Sequence, residues 1–148
     1  MGFAFALAVV ALVSGCYRMS TAPQPELLTS GTHSAIIQRE WHLVDSAREW
    51  SALWKRHRAN VIGGEEVLPN VDFSKRIVIA AFGGSFPTGG YALELLPTKA
   101  GGGEVLVRFR LVRPPADAIL TQAFTQPFAF ATLPRNPLPV RVEIVDEE

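Results

Sequence analysis

From residue 75 onward the apolar residues recur at every second position, and that period decides what the chain can build. Val105, Val107, Phe109 and Leu111 fall on one side of a strand, with Arg108 and Arg110 on the other. Tyr91, Leu93 and Leu95 alternate with Ala92 and Glu94, and Val140, Val142 and Ile144 with Arg141 and Glu143. Alternation of this kind sets one face of a strand toward a core and the other toward water. Arg76–Gly84 (RIVIAAFGG) is apolar almost throughout, as expected of a strand covered on both faces, and Phe128–Leu133 adds a further strand. A first strand is expected earlier, at Ala35–Trp41.

One segment follows the helical period instead. Trp50, Leu53, Trp54 and His57 stand at i, i+3, i+4 and i+7, behind Ser46 and Glu49 in capping-box spacing. A short amphipathic helix is therefore expected over about residues 46–58, closing on the basic turn Lys55-Arg56-His57-Arg58. The connectors carry turn chemistry: Pro87-Thr88-Gly89-Gly90, Ala100-Gly101-Gly102-Gly103, and a longer loop at Pro114-Pro115. Short connections favour antiparallel neighbours. The expected fold is α+β: a curved, mostly antiparallel sheet, like a sandwich or half-barrel, of about five to six strands with one helix against it.

The N-terminus has a different character. Phe3 to Val13 is an uncharged apolar run of about 11 residues, right for a signal-peptide core and too short for a bilayer about 30 Å thick. It ends at Val13-Ser14-Gly15-Cys16, which resembles a bacterial lipobox, where processing acylates the cysteine and cleaves before it. The expected organisation is a lipoprotein signal peptide at 1–15, a lipidated Cys16 with a flexible tether at 16–33, and one globular domain at 34–148. A membrane anchor on Cys16 and a place in the bacterial cell envelope, at the outer membrane or cell surface, follow as expectations. Cys16 is the only cysteine, so no intramolecular disulfide is available and the core must hold the fold.

Fourteen basic side chains balance fourteen acidic ones. That neutrality excludes a nucleic-acid partner of the usual kind, which needs a basic stripe to neutralise phosphates. His33, His42 and His57 show no metal-ligand spacing and no paired acid, and His42 and His57 read as partly exposed framework residues. Ser85 lies in a turn outside any nucleophile elbow, and Gly83–Gly90 lacks the Lys-Ser/Thr ending of a phosphate loop. Glu65-Glu66 and Glu147-Glu148 read as solvated surface. An enzyme is not expected, and no metal, nucleotide or redox cofactor is implied.

Two segments are too apolar for ordinary loops: Ser85–Tyr91 and Thr121–Phe128. Apolar loops stiffened by glycine and proline lose little entropy on docking, which suits them to binding a protein partner. The candidate contact residues are Phe86, Thr88, Gly89, Gly90, Tyr91, Phe124, Gln126, Pro127 and Phe128. A second reading stays open, in which Phe86, Tyr91, Phe124 and Phe128 plug the ends of the sheet.

At these residues the chain resembles the C-terminal domain of the PrcB family, lipoproteins associated with a bacterial surface protease complex. The likeness runs from Val71-Asp72-Phe73-Ser74 through Ile77–Phe82 and Pro87–Tyr91 to Pro115, Thr121-Gln122 and Gln126-Pro127-Phe128. It covers about residues 45–140. The resemblance implies a non-enzymatic accessory subunit that binds and stabilises a secreted subtilisin-like protease. Two alternatives are weighed beside it. The Pro87–Tyr91 hairpin, the Gly101–Gly103 turn and the Gln126–Phe128 loop are similar to the three wedge loops of chagasin-type peptidase inhibitors. A structural envelope lipoprotein could stack Trp41, Trp50 or Trp54 on glycan, although helical spacing assigns Trp50 and Trp54 to the core.

Overall fold

β3 (Arg76–Gly83) is buried on both faces, and the rest of the architecture follows from what covers each face. Alternate residues of a strand point to opposite sides. Ile79 and Ala81 join one apolar cluster, whereas Val78, Ala80 and Phe82 join another. β7 (Phe128–Pro134) repeats the division, with Ala129, Ala131 and Leu133 on the first side and Phe128 and Phe130 on the second. A computed structural model describes residues 23–62 and 67–147, apart from the side chains of 99–101. The segment expected to be a signal peptide, the expected lipobox with Cys16, and Glu65-Glu66 lie outside the described residues.

The first sheet has the order β1-β7-β3-β2, with β1 at Glu26–Gly31 and β2 at Arg39–Val44, and every pairing is antiparallel. One face packs on a second sheet built around β6 (Glu104–Val112). β4 (Ala92–Leu95) and β5 (Lys99–Gly101) pair with successive parts of β6. β8 (Val140–Asp146) also pairs with β6, in parallel. The other face of the first sheet carries α1 (Ala47–Arg58), which inserts Trp50, Leu53, Trp54 and His57. The α+β reading holds, as three layers: helix, sheet, sheet.

The helix begins where its cap requires. Ser46 is extended, and its hydroxyl accepts the Glu49 backbone N–H at 3.4 Å, satisfying one of the free donors of the first turn. Trp50 and Trp54 stand against Phe130 with ring centres 5.2 and 5.8 Å away. The Trp50 indole N–H donates to the Pro69 carbonyl at 3.0 Å, which provides its polar tip with a partner.

Three expectations are corrected. Among the described residues the sheets contain eight strands rather than five or six. Residues 26–31, expected in the tether, form β1, because the open edge of β7 supplies a backbone ladder that ELLTSG does not announce in its own pattern. The strand expected at Ala35–Trp41 begins at Arg39; before it, Ser34 and Ile36 tuck inward, and the Ala35 N–H donates to the His57 carbonyl. The mostly antiparallel arrangement holds, and the parallel β6–β8 pair within it arises because the intervening β7 crosses into the other sheet, so the chain returns to β6 running the same way.

Candidate partner-binding surface

β3 ends in a turn that only glycine adopts easily: Gly84 has φ +101°. The chain then leaves the sheet and forms an isolated bridge, Phe86 to Thr125, with mutual N–H···O=C bonds of 2.9 Å. The Thr125 hydroxyl donates to the Thr88 carbonyl at 2.8 Å, and the Gly89 N–H donates to the Thr121 carbonyl at 3.0 Å. Gly90 has φ +89°, and a Cβ there would lie 2.6 Å from Pro114. Gly89 is equally tight against Thr121. The two loops singled out in the sequence therefore meet, and the 113–125 connection is laced to them by backbone bonds.

On this scaffold Phe86 and Tyr91 stack face to face, ring centres 3.9 Å apart and 8° from parallel. Phe86 also leans on the inter-sheet cluster. Phe124 is 68% exposed, and Ile119 on the same connection is fully exposed. Ile119 is the residue that sequence reasoning missed, and the available signal was an isolated β-branched apolar residue in a Pro- and Ala-rich loop. The Gln126 backbone N–H is held by the Thr32 carbonyl, and its side-chain amide donates to the Ser85 hydroxyl at 3.3 Å.

Two of the candidate contact residues belong to the framework instead. Pro127 is fully buried, and its carbonyl accepts the Gly83 N–H at 2.8 Å. Phe128 is buried between Gly31 and His57, with the imidazole centre 4.3 Å from its ring. Neither side chain can reach a partner without opening the core. The sheet-plugging alternative describes Phe128, while Phe124 escapes it.

The loop set required by the inhibitor comparison is not assembled. Ala92 pairs with Val112, so the Pro87–Tyr91 loop sits at the C-terminal end of β6. Gly101 pairs with Glu104, which puts the Gly101–Gly103 turn at its N-terminal end. A nine-residue strand, about 30 Å long, separates them.

The titratable groups are committed elsewhere. Burial raises the tendency of Glu40 to hold its proton, but the His42 ring at 2.9 Å and the Arg56 guanidinium at 2.7 Å outweigh it and lower the carboxyl pKa. His57 was expected to be partly exposed; it is wholly buried, because α1 turns that position toward β7. The Ser34 hydroxyl accepts the Ile36 N–H and stands 2.9 Å from His57 Nδ1. The other ring nitrogen, Nε2, makes no such contact. That nitrogen is buried among Phe82, Phe128 and Phe130 with no polar partner. Burial, reinforced by Arg58, pushes the His57 pKa down to about 4. Among the described residues no three His, Cys, Asp or Glu side chains are grouped to hold a metal.

With this geometry established, comparison with known proteins is informative at one level. Residues 77–134 match the PrcB C-terminal family. The matched segment runs from the start of β3 to the end of β7 and contains every candidate contact residue. β1, β2, α1 and β8 lie outside it. The family points, at a coarse level, to a protein partner within a protease complex. No curated protein and no solved structure matches the chain.

Proposed function

We propose that this protein is a non-enzymatic, lipid-anchored subunit of the bacterial cell envelope that binds and stabilises a secreted protease of the subtilisin-like class. The observation that carries the proposal is the exposed apolar end of the PrcB C-terminal segment. Phe124 and Ile119 stand free on a connection whose backbone is fastened to the 84–91 loop. A preorganised apolar surface binds without first ordering itself. A domain that binds only the native form of its partner stabilises it by mass action, and a shared membrane raises the effective concentration of both. Neither effect needs a catalytic group.

The test is cross-linking and capture of a C-terminally tagged copy from native membranes, read by mass spectrometry. Recovery of a secreted protease is expected, with loss of that protease in a Phe124→Ala/Ile119→Ala variant that retains its folded circular dichroism. Recovery of bulk envelope proteins alone, unchanged by the variant, would refute the proposal.

A further inference from the structure

Among the described residues β2 is the outermost strand of the first sheet, and the direction of its unpaired backbone groups follows from its neighbours. The N–H and C=O of one strand residue point the same way, and the direction alternates along the strand. The Gly83 N–H donates to the Pro127 carbonyl and the Lys75 carbonyl accepts the Arg135 N–H, both at 2.8 Å. The odd-numbered residues along β3 therefore turn toward β7, and Val78, Ala80 and Phe82 turn toward β2. Their register partners are Val44, His42 and Glu40. Arg39, Trp41 and Leu43 must then aim their N–H and C=O groups away from the sheet.

Arg39 is tied to β8, its guanidinium donating to the Asp146 carboxylate at 3.1 Å and to the Ile144 carbonyl at 2.8 Å, but the other two side chains are unfinished. Trp41 and Leu43 lie opposite Ala81 and Ile79, on the face that the second sheet covers over β3 and β7. At β2 that cover stops, leaving Trp41 44% and Leu43 40% exposed. Edge strands are ordinarily blunted by bulges, prolines or charge. β1 has a register shift between Leu27 and Thr29, and β8 carries the Arg141–Glu143 pair at 2.8 Å. β2 has an unbroken register and no proline from Arg39 to Val44.

We propose that β2 pairs with β2 of a second copy of this chain, antiparallel about a two-fold axis at Trp41, so that the first sheet continues across both copies. This register uses all three outward-facing residues. Trp41 meets Trp41 of the second copy, and the aliphatic stem of Arg39 lies over Leu43. On the helix side Glu40 stands opposite His42 of the second copy, an acid against an imidazole, with Arg56 beside it. Slipping the pairing by two residues sets Glu40 against Glu40 in one direction and His42 against His42 in the other. The acid–imidazole match, with the Arg56 guanidinium beside it, therefore selects one register and favours a second copy over an unrelated extended segment. Strands of six residues bury less than the roughly 800 Å² per partner of a standard interface, so the dimer belongs to the weak, reversible class.

The test uses the full chain in detergent micelles, by sedimentation equilibrium and amide hydrogen exchange at concentrations up to about 500 µM, where an interface of this class assembles. A monomer–dimer equilibrium is expected. The amides of Trp41 and Leu43 should slow at least tenfold as concentration rises, while those of Glu40 and His42, already bonded to β3, should not change. Trp41→Pro removes an outward N–H without touching the ladder to β3, and Leu43→Lys adds a charge opposite Arg39. Both variants are expected to stay monomeric. A wild type that remains monomeric with fast Trp41 and Leu43 amides throughout would overturn the proposal, as would a dimer that survives both variants. Slowing of those amides only on addition of another envelope protein would instead assign the edge to an extended segment of that protein.

Discussion

Two groups of aromatic side chains in this molecule look alike in composition and behave oppositely. Under α1, Trp50, Trp54, His57, Phe82, Phe128 and Phe130 form a closed box in which every member is buried. At the loop end, Phe86, Tyr91 and Phe124 are held by turns and a two-residue bridge; Phe86 and Tyr91 are half-buried and Phe124 is exposed. The difference lies in what positions them. Strand and helix periodicity delivers each member of the box to the same interior side, whereas the loop aromatics are placed by backbone bonds that leave one side open. Phe128 sits in sequence beside the loop and in space inside the box, which marks where one regime becomes the other.

The sharpest way to break this comparison is to remove one ring from the box. Phe130→Ala should lose about 3–5 kcal/mol in chemical denaturation, the cost of deleting a large buried side chain and leaving a cavity. A loss below about 1 kcal/mol would mean that the box is not a packed core.

Acid should distinguish the two regions almost as clearly. His57 titrates at about 4 in the folded protein against an ordinary value of 6.5. The folded state disfavours its proton, so the associated stability is complete above pH 6.5 and is lost as pH falls toward about 4. A difference of this size corresponds to about 3 kcal/mol. The carboxyl groups of Glu40, Asp72 and Asp146 are all shifted downward, so their contributions are lost only at lower pH. Denaturation midpoints measured between pH 7 and 5 therefore report mainly on His57. His57→Gln should flatten that slope, and an unchanged slope would remove the histidine from the box's account.

At the loop end the effects are smaller and local. Gly90→Ala combines a positive φ with a collision against Pro114 and should cost about 1–3 kcal/mol. Gly102→Ala, at φ +66° with open space around it, should cost about 1 kcal/mol. Equal losses at the two glycines would show that the packing of Gly90 against Pro114 is not what holds the loop. Smallest of all, Phe124→Ala should change stability by less than about 0.5 kcal/mol while abolishing partner capture. A large stability loss there would move Phe124 into the core and take the binding surface with it.

The repeating part of the fold was legible before any coordinates. The alternation in β6 and β8, the apolar run of β3, and the Ser46 cap ahead of Trp50, Leu53, Trp54 and His57 each state their own burial, because one side chain per period must reach the same interior. β1 was not legible, since ELLTSG is recruited by the edge of β7 rather than by its own pattern. The loop site was legible in part. Phe86, Thr88, Gly89, Gly90, Tyr91 and Phe124 do come together, but their separation from Pro127 and Phe128 is a matter of solid packing between Gly31, Gly83 and His57.

By itself the sequence determined the regularly alternating strands, the helix and its cap, and the glycines that its turns require, because these depend on residues near one another in the chain. Tertiary structure alone decided that β8 runs parallel to β6, that His57 is a buried neutral imidazole, and that Phe124 faces water while Phe128 does not. Those outcomes turn on which distant segment arrives to cover a given side chain, and burial by a remote segment leaves no mark in local periodicity.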